Sequence, residues 1–143
     1  MKKENCLDIY FDENYEKIEI DYKSRKILED LSIDEIIKKR RDNAKVIYEK
    51  LENKEINFLF ENLLETDTPL FIPIILKNEE IRNKLRNYLI SQNIYCPIHW
   101  PIPQILKNKE SNIYTREISL ICDHRYSKEE VESYIKIVNQ FVK

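Results

Sequence analysis

The chain contains no glycine in 143 residues. At the usual frequency a chain of this length would carry about ten. Glycine lets backbone approach a phosphate closely, so neither a P-loop nor a Rossmann fingerprint can be written into this sequence. A nucleotide cradle within the chain is therefore not expected. Left-handed backbone positions fall to asparagine, whose short side chain tolerates them. Asn93, at the end of a helical pattern, is one such expected stop.

The length suits a single core, since a chain of this size buries roughly 70% of its unfolded surface. The net charge of −2 offers no basic footprint for nucleic acid. No apolar run approaches the roughly 20 residues of a membrane span. Met1-Lys2-Lys3-Glu4-Asn5 is followed by no apolar segment of the kind that directs secretion. Three scattered cysteines make no disulfide framework and fit a reducing cytoplasm.

Residues 1–31 are expected to be an arm or linker, and residues 32–143 the folded domain. In the arm, Asp8–Phe11 and Lys17–Ile20 read as short strands or extended chain, and Lys23–Leu31 as a short helix. Ser32-Ile33-Asp34-Glu35 is a capping box, and apolar residues then recur at helical spacing to about residue 52. Arg40 and Arg41 read as a solvated face of that helix. Asn57–Leu64 is apolar and ambiguous. Pro69–Leu76 reads as a strand, with Pro73 implying an edge position or a bulge. Asn78 caps a helix with Ile81, Leu85, Tyr88 and Leu89 on one face. Ile94–Ile98 and Glu117–Cys122 read as strands on either side of a proline-rich loop. Ser127-Lys128-Glu129-Glu130 is another capping box, opening a helix striped by Val131, Tyr134, Ile135, Val138 and Phe141. The expected fold class is α+β, a two-layer sandwich of a small mixed or antiparallel sheet with helices mainly on one face.

The chemistry-bearing residues concentrate between Ile94 and Tyr126. Both histidines, the only tryptophan and two of the three cysteines fall there. Cys96, His99, Cys122 and His124 together make a Cys₂His₂ zinc set, although Cys-x-His is a cramped ligand spacing. The bland reading is two buried strand cysteines acting as small hydrophobes. A Cys–His nucleophile pair lacks any accompanying oxyanion-hole motif. His99-Trp100-Pro101 reads either as a tryptophan over a proline turn or as the aromatic wall and imidazole of a polar pocket. Arg125, in Asp123-His124-Arg125-Tyr126, reads either as a bidentate binder of carboxylate or phosphate or as a structural partner of Asp123 or Tyr126. Arg116 is a weaker anion-binding candidate.

Arg40-Arg41-x-Asn43, Pro69-Leu70-Phe71-Ile72-Pro73-Ile74, Tyr88-Leu89-Ile90, Ile94-Tyr95-Cys96-Pro97-Ile98-His99-Trp100-Pro101 and Ile118-Ser119-Leu120-Ile121-Cys122-Asp123-x-Arg125-Tyr126-Ser127 follow one another in this order. This series resembles the C-terminal part of the DegT-type aminotransferases, pyridoxal-phosphate enzymes of fold type I, over roughly Ser24 to Lys143. The resemblance implies a small domain that packs on a large domain and helps close the active site, usually in a dimer. It implies pyridoxal phosphate in the complete enzyme and an amino-acid or sugar-linked small-molecule substrate. It also implies substrate-pocket roles for His99 and Trp100, to which Arg125 and Tyr126 are added on chemical grounds. No Schiff-base lysine region is recognisable, so the chain alone is expected to bind no cofactor and to have no catalytic residue. The usual proline of the last strand is replaced by Ile121-Cys122. The competing readings are a non-catalytic binding module of the same fold and a zinc protein.

Overall fold

In a computed structural model of the chain, residues 19–99 and 113–142 are described. Met1–Ile33 and Asp34–Lys143 form two compact units. The first unit has one described element, helix α1 (Tyr22–Glu29), started by the Asp21 carboxylate accepting from the Lys23 and Ser24 amides. All its described residues are exposed. The strand read at Asp8–Phe11 and the first half of that read at Lys17–Ile20 lie outside the described residues, as does the proline-rich loop with Trp100; Glu19 and Ile20 are in no strand.

The second unit holds nearly all of α2 (Ile33–Lys50), then β1 (Ile56–Phe58), β2 (Phe71–Leu76), α3 (Glu79–Ser91), α4 (Ile113–Arg116), β3 (Glu117–Ile121) and α5 (Lys128–Gln140). The strands form one antiparallel sheet in the order β1-β2-β3. The fold is α+β, a small antiparallel sheet under helices. Local signals set its boundaries. The Asn78 side chain accepts from the Ile81 amide and starts α3. Asn93 takes a φ of 60° after that helix, and the Ile94 amide turns back to the Leu89 carbonyl. Ser127 and Glu130 form the reciprocal capping box of α5.

One face of the sheet carries Ile72, Ile74, Leu76, Ile118 and Leu120. These join Val46 and Ile47 of α2, Leu85 and Leu89 of α3, and Val131, Ile135 and Val138 of α5 in one core. The strand period of two leaves the alternate residues on the opposite face. Asparagines tie the helix ends together. Asn43 donates to the Asp123 and Tyr126 carbonyls, and Asn139 donates to the carbonyl of Lys50 at the end of α2.

Two strand expectations change. Pro73 sits in the central strand, not at an edge. Its carbonyl accepts from the Leu59 amide, which continues the β1–β2 register one pair beyond Phe58–Ile74. Proline cannot make the reciprocal bond of that pair, and β1 ends there. Residues 94–98 form no strand. They make one backbone bond to β3, from the Ser119 amide to the Pro97 carbonyl. Pro97 has no amide to carry a ladder onward.

Candidate functional site

The sheet face turned away from the core has an unusual content. The β2–β3 register pairs Phe71 with Ile121, Pro73 with Ser119, and Ile75 with Glu117. An aromatic ring, a proline, a hydroxyl and a carboxylate therefore share one surface. That surface floors a cleft of about 1160 Å³. The segment after β1 supplies walls through Phe60, Leu64 and Asp67, and α4 supplies Ile113 and Tyr114. Phe60, Leu64 and Ile113 are exposed. Among the described lining residues three are carboxylates, Glu61, Asp67 and Glu117, and none is a lysine or arginine.

The wall is pinned from α2. Arg41 donates to the Asp67 and Leu64 carbonyls, and Tyr48 donates to the Phe60 carbonyl. Arg41 thus anchors a loop; it is not part of a solvated face.

His99 stands beside the floor. Its ring stacks on Phe71, with centroids 3.9 Å apart and 25° between planes. Its Nδ1 lies 3.1 Å from the Ser119 hydroxyl oxygen. Ser119 in turn donates to the Glu117 carboxylate. Glu117 and Ser119 are both buried. Behind them the buried Arg82 donates to the Glu117 carbonyl at 3.2 Å and attracts the Glu117 charge. Burial lowers the Arg82 pKa, while Glu79 and Glu117 oppose that shift.

Arg125 and Tyr126 lie elsewhere. Asp123, buried at the end of β3, accepts from Arg125 Nε at 2.7 Å and from the Arg125 amide at 3.1 Å. The Arg125 guanidinium thus helps to shape the entry to α5. His124 Nδ1 is 2.9 Å from Asp123 Oδ1 and 3.4 Å from Arg40 Nε. Tyr126 lines a separate cavity of about 180 Å³, with Cys96, Ile121 and Tyr134. The structure thus puts His99 beside the large cleft, Tyr126 in the small cavity, and Arg125 on Asp123. Trp100 lies outside the described residues.

Cys96 and Cys122 are buried free thiols. Burial pushes both up to about 12. Cys122 donates to the Pro69 carbonyl, as a protonated thiol must. Among the described residues no cluster of three or more Cys, His, Asp or Glu side chains has metal-site geometry.

Glu117 and Ser119 are the residues that motif reading missed. Their signal was two polar side chains at i and i+2 between the apolar Ile118 and Leu120. In a strand that spacing puts both on one face.

No family model matches the chain, and no curated protein matches it. Solved structures do. A candidate sugar aminotransferase from Streptococcus pneumoniae, in its PMP form and in its apo form, superposes with a TM-score of 0.59 over 73% of this chain. The chain has the fold of a portion of that protein. Sequence identity is 18%, so the likeness establishes fold and not activity. The match spans 30% of the length of those chains.

Proposed function

We propose that this chain is the small-domain portion of a pyridoxal-phosphate-dependent sugar aminotransferase of the DegT type, acting with a large cofactor-binding domain. The observation that carries the reading is the fold shared with part of a candidate sugar aminotransferase. The order of motifs from Arg40 to Ser127 supports the finer family assignment. Residues 1–31 are proposed as an arm or linker. His99 and Trp100 are proposed as substrate-pocket residues, with Arg125 and Tyr126 as secondary candidates at the entry to α5. The exposed Phe60, Leu64 and Ile113 around the cleft suit packing against a partner domain or a second protomer. Among the described residues no helix is long and apolar enough to cross a membrane, and a cytoplasmic location is proposed.

The cofactor itself does not fit the described residues. A Schiff-base amine needs a lysine drawn out of water, and every described lysine is exposed. The proposed contribution of this chain is therefore pocket wall and water exclusion, with the chemistry residing in a partner domain.

The test is incubation of the purified chain with pyridoxal phosphate, followed by borohydride reduction and peptide mass mapping. The expected result is no stoichiometric adduct on any single lysine. One uniquely modified lysine would make the chain an enzyme in its own right and overturn the reading. The non-catalytic alternative would gain if the large-domain segment of a sugar aminotransferase failed to bind the chain.

A further inference from the structure

We propose that the first half of α2 pairs antiparallel with the same segment of a second copy of this chain. The helix runs from Ile33 to Lys50, but only its second half is sunk in the core, through Asn43, Ala44, Val46 and Ile47. Eleven residues make about three helical turns, so residues eleven apart share a face. Ile33 therefore stands on the face of Ala44, and Ile36 on the face of Ile47. The stripe that packs the core continues past it. There Ile33 is 54% exposed, Ile37 is 36% exposed, and Ile36 is half-buried. An apolar stripe along a helix is ordinarily a packed one.

Charge decides what covers it. The exposed part reads Ile33-Asp34-Glu35-Ile36-Ile37-Lys38-Lys39-Arg40, two carboxylates and then three cations about a pair of isoleucines. Asp34, Glu35, Lys38 and Lys39 are all exposed. Laid antiparallel against a second copy, the acidic end of each helix lies beside the basic end of the other, with Ile36 and Ile37 at the two-fold axis. Such a contact is isologous: one patch is its own complement. A parallel pair would set like charge beside like. A helix can use these charges by itself, with carboxylates at its positive end and (i, i+4) pairs between Asp34 and Lys38 and between Glu35 and Lys39. Among the described residues, however, no ion pair engages any of those four side chains. The strip spans about two turns, so the contact belongs to the small, weak class of interface. It uses no residue that lines the cleft.

The experiment is sedimentation equilibrium of the purified chain over a rising concentration series, beside two charge-reversed variants. One variant carries Asp34→Lys and Glu35→Lys, the other Lys38→Glu and Lys39→Glu. All four sites are exposed, and circular dichroism checks that each variant keeps its helices. The expected result is a reversible wild-type dimer whose share grows with concentration. Each variant alone should self-associate at least about tenfold more weakly, because like charges then face each other. The two variants mixed should form a mixed dimer. A wild-type chain that stays monomeric throughout would overturn the proposal. So would variants that dimerise like wild type, which would put the contact on another face, or a mixture that associates no better than its parts. If one variant fails to fold, the other, which reverses the opposite charge block, decides. A wild-type monomer whose residues 33–40 are protected from hydrogen exchange only by an added large-domain segment would give the strip to that partner and overturn self-pairing. No cofactor enters the sedimentation series, so its failure would leave the aminotransferase reading standing, and a unique lysine adduct would leave the pairing untouched.

Discussion

Asp123 shows how one buried carboxyl organises its surroundings. Burial alone would raise its pKa, but the Arg125 hydrogen bonds and the Arg125 and His124 charges outweigh it and hold the group below its ordinary 3.8. A carboxyl depressed in the folded state adds stability above its unfolded pKa and loses it as pH falls through the folded value. Asp123→Asn should therefore be less stable than wild type at neutral pH, with the gap closing as pH drops below about 4. Urea midpoints across that range check it, and a gap independent of pH would refute the assignment. This site also marks a limit of residue-by-residue reading. The sequence left Arg125 open between ligand binding and a structural contact, because both uses require the same guanidinium. Only the 2.7 Å bond to Asp123 shows where it is engaged in the chain alone. Glu117 escaped notice for a related reason: a single glutamate in a strand says nothing until its cross-strand neighbours are known.

Helices were legible because their signals lie within four residues. Asn78 and Ser127 were identifiable as caps from composition, and both cap in the structure. Replacing a helix-capping serine by alanine costs about 1 kcal/mol. Ser127→Ala should lower the chain's unfolding free energy by that amount, measured by chemical denaturation, without altering the β2–β3 register. Strands were less legible because their place depends on partners far away in sequence. Pro73 implied an edge, and the physical reasoning was sound. What the sequence concealed was that β1 ends opposite Ile74, creating a local edge inside a central strand. Residues 94–98 carry strand-like side chains, but strand status needs a run of backbone bonds, and Pro97 interrupts it.

At the scale of the whole molecule, the cleft carries exposed apolar side chains on its wall. Phe60 and Leu64 are 61% and 63% exposed, so their loss should cost the fold within about 0.5 kcal/mol each. The double variant Phe60→Ser, Leu64→Ser should keep the wild-type denaturation midpoint but bind less of a dye that lights up on apolar surface. It should also bind a large-domain partner more weakly. A collapse in stability would show instead that these side chains belong to the core. The buried thiols have a different use at this scale. With Cys96 and Cys122 raised from 9.0 to about 12, thiolate at neutral pH is scarcer by roughly a thousandfold than for ordinary cysteine. Alkylation must then wait for the core to open. Together they are a built-in stopwatch: the rate at which a maleimide marks each sulfur, followed by mass spectrometry, times the separate openings of the 94–98 segment and of the β3 end.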